Sequence, residues 1–417
     1  MATKKQPKIP AWLAALGILL GVVGGGIVAS TPQPPAPPAT TTAATTTAVP
    51  PTTLQPVAVR RYFADQASWN QLAAVYGPSP TLQPYAERWW DHGGGGDKPG
   101  SVNVAFGDYS IPTYRKADAT TIAVIYQATW AQALYTTDVG VAIPWNPKWT
   151  AGTGTDNLLS IVDDATETAW VLGGLGQLSW NCVEPFGLGP NGRAGFDPTN
   201  PLHLCTTGVQ RHEGLFTADD TVRIDGRGAG MPKLALTVRA AEVRSGAIRH
   251  ALEMTITSTM FGPACTPTRG ATAPGAGVSC GYYLPPATKL ERTNPDVGCP
   301  TKQVVTDVER AKTIPEGMRF ALRMTDAEIG AWLTSRGYTG QLRETARIFA
   351  VALRDYGWIV AETGCFGMHI ETDSAIAGDA APIWRQLGVT GAGTYPNGDL
   401  LFGLITKERV YVVEPPA

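Results

Sequence analysis

Glu242–Ile256 reads EVRSGAIRHALEMTI, and this stretch organises the reading of the chain. Gly246 breaks the local pattern. From Ile248 to Thr257 the residues alternate: His250, Leu252, Met254 and Ile256 share one face, and Ala251, Glu253, Thr255 and Thr257 share the other. That period of two predicts a half-buried β-strand. A second anchor begins at Gln341, where QLRETARIFAVALRDYG runs into WIVAETG. Ala346, Phe349, Ala350, Leu353 and Tyr356 form an apolar stripe at helical spacing. Gly357 is placed to end that helix and release the chain into a strand, Trp358–Ala361.

Composition sets the frame. The chain has 417 residues, of which 16% are charged, with a formal net charge of −2. No basic excess points to nucleic acid. The 47 Gly, 34 Pro and 12 Trp favour turns and aromatic surfaces over long helices. The expected fold is therefore mainly β, with a β-sandwich or jelly-roll-like core and a smaller C-terminal α/β portion.

Lys4, Lys5 and Lys8 precede an uncharged apolar run from Ala11 to Ala29. At ~1.5 Å per helical residue the run nearly matches a ~30 Å hydrocarbon core. Basic residues ahead of it orient the rest of the chain outward. Gly24–Gly26 and the small residues Val28-Ala29-Ser30 leave the end of a cleaved signal peptide as the alternative. Residues 1–10 thus read as a cytoplasmic basic segment and 11–30 as a signal anchor or signal peptide. Residues 31–57, almost wholly Pro, Thr and Ala, read as an extended spacer. Residues 58–417 form the extracellular globular part, divisible into a β-rich 58–300 and an α/β 301–417. The protein is expected at the cell surface, tethered through its N-terminal segment to the membrane, or secreted after cleavage.

Within that part, Asp65 is placed to cap a short helix carrying Trp69, Leu72, Ala73 and Tyr76. Thr121–Tyr126, Leu158–Val162, Thr168–Leu172, Leu234–Val238, Met368–Ile370 and Val410–Val413 read as strands. Thr325 with Glu328 matches a capping box opening a helix through Ile329, Trp332 and Leu333. Long Gly/Pro loops run over 180–203 and 262–286. Cysteines stand at 182, 205, 265, 280, 299 and 365. An even count in an exported chain reads as disulfides, and proximity suggests 182–205, 265–280 and 299–365 among 15 possible sets.

Glu242, Gly246, Ile248, His250, Ala251 and Leu252, then Pro315, Gly317, Arg319 and Leu322, then Tyr356 and Gly357, resemble a motif set of secreted bacterial β-rich proteins that have no established activity. Asp138, Gly140 and Pro144 are similar to an upstream element of that group. The resemblance spans roughly Tyr109 to Trp384 and implies an extracellular β-rich domain, with no mechanism attached.

Chemistry is carried by few motifs. Gly277-Val278-Ser279-Cys280-Gly281 matches a nucleophile elbow in letters, but loop precedes it and Tyr-Tyr-Leu-Pro-Pro follows, where the elbow needs strand and helix. GGGGDKPG at Gly93–Gly100 lacks the Gly-Lys-Ser/Thr of a phosphate loop. No His-Glu-x-x-His exists around His212-Glu213. His250 reads either as a hydrogen-bonded core histidine or as a substrate-orienting base.

Asp138, Asp156 and Glu253 are the candidate catalytic carboxylates, because glycoside hydrolysis needs two such groups ~5–10 Å apart. The bland alternative is that each Asp forms a turn with its own backbone. Trp145, Trp149 and Trp170 are candidate substrate-binding residues, since pyranose rings stack on flat aromatic faces; Trp145 and Trp149 in particular are expected at a surface. The expected function is action on polysaccharide or cell-wall glycan, as a glycoside hydrolase with paired carboxylates. Rival readings are a non-catalytic glycan-binding module and a structural envelope protein. No cofactor and no metal ligand set is read; a structural Ca²⁺ is left open.

Overall fold

The strand expected from Ile248 begins only at Leu252. In the computed structural model, which describes residues 59–94, 102–127, 142–175, 196–197, 199–220, 227–262, 264–269, 280–291, 307–365, 367–391 and 397–416, residues 247–251 form an irregular approach to it. Gly246, at φ +96°, closes a short helix, Ala240–Arg244, ahead of that approach. Numbering strands in chain order, Leu252–Ile256 is β9. Leu252, Met254 and Ile256 are fully buried in one core, and Ala251 belongs to another. The alternation read from sequence holds over Leu252–Ile256, but the strand is buried on both faces, Glu253 included, rather than half-buried, and His250 lies ahead of it.

β9 lies inside a six-stranded sheet. Its order is β1 (Val102–Ala105), β14 (Met368–Glu371), β9, β13 (Trp358–Thr363), β12 (Arg319–Leu322) and β15 (Val410–Val412). β9 and β13 pair in parallel, which requires a crossover between them. The helices Asp326–Ser335 and Gly340–Asp355 lie in that connection. The expected capping box opens the first of them: the Glu328 amide donates to Thr325 Oγ1 at 3.2 Å, and the Thr325 amide donates to Glu328 Oε2 at 2.7 Å. The second buries Ala346, Phe349, Ala350 and Leu353 against the sheet's main core. There Trp358 packs on Trp89, with ring centroids 4.9 Å apart, and on Phe320.

Three smaller sheets complete the body. One runs β2 (Thr113–Arg115), β5 (Leu159–Asp163), β6 (Thr168–Gly173), β8 (Gly208–His212). Another runs β4 (Ala142–Trp145), β3 (Thr121–Gln127), β7 (His203–Thr206). The third pairs β10 (Ala264–Arg269) with β11 (Gly281–Tyr283). The fold is therefore mixed α/β with four open sheets, and the described residues show no β-sandwich or jelly roll. The physical reason is the parallel β9–β13 pairing, which places helices on the sheet where a second sheet was expected. That sheet draws strands from Val102 to Val412, so it spans the 300/301 division.

Other expectations change in detail. Leu234–Val238 is not a strand: Lys233–Leu236 forms a helical turn behind Pro232, with all four residues buried. Asp65 caps no helix; it pairs with Arg61, and the short helix Ala73–Tyr76 starts after Leu72. Cys265 and Cys280 form the expected disulfide. Cys205 and Cys365 are disulfide-bonded as well, while Cys182 and Cys299 lie outside the described residues, as does Ser279. Among the described residues no helix is long and apolar enough to cross a membrane. The Ala11–Ala29 run lies outside them.

Candidate active site

The face of the central sheet opposite the main core carries charge. On β9 the residues between the core positions are Glu253 and Thr255; on β14 they are His369 and Glu371. Strict alternation along β13 would turn Glu362 toward the core with Trp358 and Val360. A bulge prevents this: Val360 pairs with Met254, Glu362 pairs with Thr255, and Ala361 is the extra residue. One inserted residue flips the side of everything after it. Glu362 thereby joins Glu253 and Glu371.

Together with Asp156, Lys233 and Glu291, these residues line a cleft of about 270 Å³. Asp156 comes from the turn leading into β5, where its carbonyl accepts the Gly174 amide at 2.6 Å. Tyr109 forms part of the wall, with its ring stacked on His369 at 5.9 Å between centroids. It adopts φ +62°, an uncommon conformation for a bulky residue. Gly154, at φ +93°, lies against this ring, and a Cβ added there would stand 3.0 Å from it.

Two buried cations hold the carboxylates. Lys233 Nζ is 2.5 Å from Glu362 Oε2 and 3.8 Å from Glu371 Oε1. The Arg227 guanidinium pairs with Glu371 through Nη2, and its Nη1 lies 3.7 Å from Glu253 Oε1 and 3.8 Å from Glu362 Oε2. Glu253 Oε1 also accepts from Thr255 Oγ1 at 2.6 Å, and its Oε2 accepts the Glu371 amide at 3.2 Å.

These surroundings drive the acids apart. Burial opposes ionisation of Glu362, yet Lys233 and Arg227 outweigh it and hold that carboxyl below its ordinary range. Asp156 moves the other way, raised by burial and by the nearby charge of Glu362. Burial pushes Glu253 up to about 8, against the pull of Arg227. Glu291 and Glu316 form a further pair, the Glu291 amide donating to Glu316 Oε2 at 2.9 Å. Burial raises both carboxyls, Glu316 well above the usual value. His369 is lowered to about 4 by burial and is neutral near pH 7.

Of the residues expected from sequence, Asp156 and Glu253 line this cleft. His250 does not. It is buried beside Glu242, with Nε2 3.2 Å from Glu242 Oε2 and Nδ1 2.9 Å from the Ala251 carbonyl oxygen. The core-histidine alternative describes its position. Trp145, Trp149 and Trp170 line neither the cleft nor an exposed surface. They are buried in a core shared by the three- and four-stranded sheets, where Trp149 stacks on Tyr114 at 4.9 Å. The surface expectation fails because Trp145 ends β4 and the following turn folds Trp149 back onto it. Asp138 lies outside the described residues.

Sequence reasoning missed Glu362, Glu371, Glu291, Lys233, Arg227 and His369. Glu in a strand is the available signal, since such residues are depleted there and costly to bury without partners. Among the described residues no group of three or more His, Cys, Asp or Glu is arranged to hold a metal ion. Set against family models, characterised proteins and solved structures, the chain matches none.

Proposed function

We propose that the chain is an exported, cell-surface enzyme that hydrolyses glycosidic bonds in extracellular polysaccharide, with Asp156 and Glu362 as its paired carboxylates. One observation carries this reading: two carboxyls lining the same cleft are shifted in opposite directions, Asp156 upward by burial and the charge of Glu362, and Glu362 downward by Lys233 and Arg227 against its burial. Such divergence is what assigns acid and base among paired carboxylates. Asp156 is half-buried and opens on the cleft, and it donates the proton to the leaving oxygen. Glu362, held ionised by Lys233, attacks the anomeric carbon or activates water. Glu253 stays protonated beneath them, and Glu371 neutralises Arg227. Tyr109 and His369, stacked on each other, form one wall of the cleft beside the space a sugar would occupy. The N-terminal apolar run and the Pro/Thr-rich spacer support the location.

The test is release of new reducing ends by the full chain from a panel of plant, microbial and cell-wall polysaccharides. Products that vanish in Glu362→Gln and in Asp156→Asn support the reading. Retention on insoluble glycan without products replaces it with a binding module.

A further inference from the structure

A second cleft of about 390 Å³ shares no lining residue with the first, and its walls carry Arg60, Arg115, Arg239 and Arg244. Two of these guanidinium groups sit over aromatic rings. Arg239 lies 3.7 Å over the centroid of Tyr62, and Arg60 lies 4.0 Å over Phe216. Stacking fixes the plane of a guanidinium and directs its N–H groups sideways. Arg239 is held further by Glu242 at 2.6 Å and by the Arg60 carbonyl at 2.9 Å.

The acids nearby are engaged with groups other than Arg244. Arg60 pairs with Glu167 at 2.9 Å, and Arg115 pairs with Asp164. Asp373, on the wall, spends Oδ1 on the Ala240 amide at 2.9 Å and on the Trp384 indole at 2.7 Å. Burial raises its carboxyl to about 7, which reduces its charge near neutrality. Asp379 accepts the Arg115 amide at 3.1 Å, and burial raises it also. Arg244, half-buried, has no ion pair or side-chain hydrogen bond among the described residues. Its guanidinium therefore faces a roomy, arginine-rich cleft without a partner.

From this we infer that the second cleft binds the oxyanion of a sugar-sized ligand, a carboxylate or a phosphate, with Arg244 as the principal recognition residue. Planar guanidinium groups match both oxyanions through paired N–H donors. The inference is independent of the chemistry assigned to the acidic cleft.

The test is calorimetric titration of the full chain at neutral pH with glucuronate and with glucose 6-phosphate, using glucose as the uncharged control. Saturable binding of at least one anion is expected, weakened at least tenfold in Arg244→Gln and weakened by added salt. Glucose should show no binding that Arg244→Gln weakens. Which anion binds identifies the source of the oxyanion. Glu362→Gln, in the other cleft, should bind the anion as the wild type does. Among the described residues Arg244 makes no ion pair or side-chain hydrogen bond, so little change in unfolding temperature is expected for its variant, with Arg115→Gln as a second variant that should also weaken binding. Absence of saturable binding of either anion overturns the inference, as does undiminished binding in Arg244→Gln.

Discussion

Arg227 Nη1 lies 3.7 Å from Glu253 Oε1, and neither side chain is exposed to solvent. The separation is too long for a hydrogen bond, and Nη1 has none among the described residues. Arg227 gives its close contact to Glu371 instead. The guanidinium therefore acts on Glu253 as a charge at a distance, and burial prevails: the carboxyl holds its proton up to about pH 8.

That proton has a consequence for stability. The unfolded chain releases it near ~4.3, the ordinary value for Glu. Between there and about pH 8 the folded state binds more protons, so stability falls as pH rises through the window. Glu253→Gln removes the share of this dependence that Glu253 contributes. In urea denaturation the variant is expected to gain on the wild type from pH 5 to pH 8 by roughly 1–3 kcal/mol. Glu242 contributes the opposite slope outside this window: Arg239 and His250 outweigh its burial and lower it, so its stabilisation is lost only as pH falls below the unfolded value. A variant that parallels the wild type from pH 5 to pH 8 contradicts the assignment of the proton to Glu253.

Arg319 is the structural residue of the Pro-x-Gly-x-Arg element. Its Nε donates to the Tyr356 carbonyl at 2.7 Å, Nη1 to Ser68 at 3.1 Å and Nη2 to Gln71 at 2.6 Å. It thus ties the end of the Gly340–Asp355 helix to the N-terminal segment of the described body. Arg319→Met leaves buried carbonyl oxygens unpaired, and a loss of roughly 2–4 kcal/mol is expected in urea denaturation. Arg319→Lys should not restore it, because one ammonium cannot reproduce the fork. A change within ~0.5 kcal/mol, the range of ordinary surface substitutions, contradicts the role.

Gly317 of the same element sits at φ +83°, and a Cβ there would overlap the Leu284 carbonyl oxygen. Its amide donates to Val360 at 2.8 Å, next to the bulge that orients Glu362. Gly317→Ala is expected to destabilise by roughly 2 kcal/mol or more. Gly330, inside the Asp326–Ser335 helix with open space around it, is the control. Gly330→Ala should be neutral or stabilising by up to ~1 kcal/mol. Thermal unfolding of the two variants decides, and equal effects would contradict the steric argument.

Much of the framework was legible. The alternation at Leu252–Ile256, the helical stripe ending at Gly357 and the Thr325–Glu328 capping box each depend on local periodicity, and each stands in the fold. Glu253 was legible too, as a lone charge inside an apolar strand. Glu362 was not, because its side of β13 is set by the one-residue bulge after Val360, which no periodicity announces. Lys233 was hidden by an apolar run that reads as strand but closes into a helical turn behind Pro232. Trp149 sits in a loop-like sequence, yet stacking on Tyr114 draws it inward. These are tertiary choices made by distant partners.

The most direct test is the pH profile of reducing-end release from whichever polysaccharide of the panel is cleaved, recorded for the wild type, Asp156→Asn and Glu362→Gln. The wild type is expected to give a bell: its acid limb reports ionisation of Glu362, and its alkaline limb reports loss of the proton from Asp156. Asp156→Asn should lose roughly 10²–10⁴-fold in rate and lack the alkaline limb, while Glu362→Gln should be inactive or reduced to a similar degree. Release that persists undiminished in Glu362→Gln, or an alkaline limb that survives in Asp156→Asn, contradicts the paired-carboxylate account.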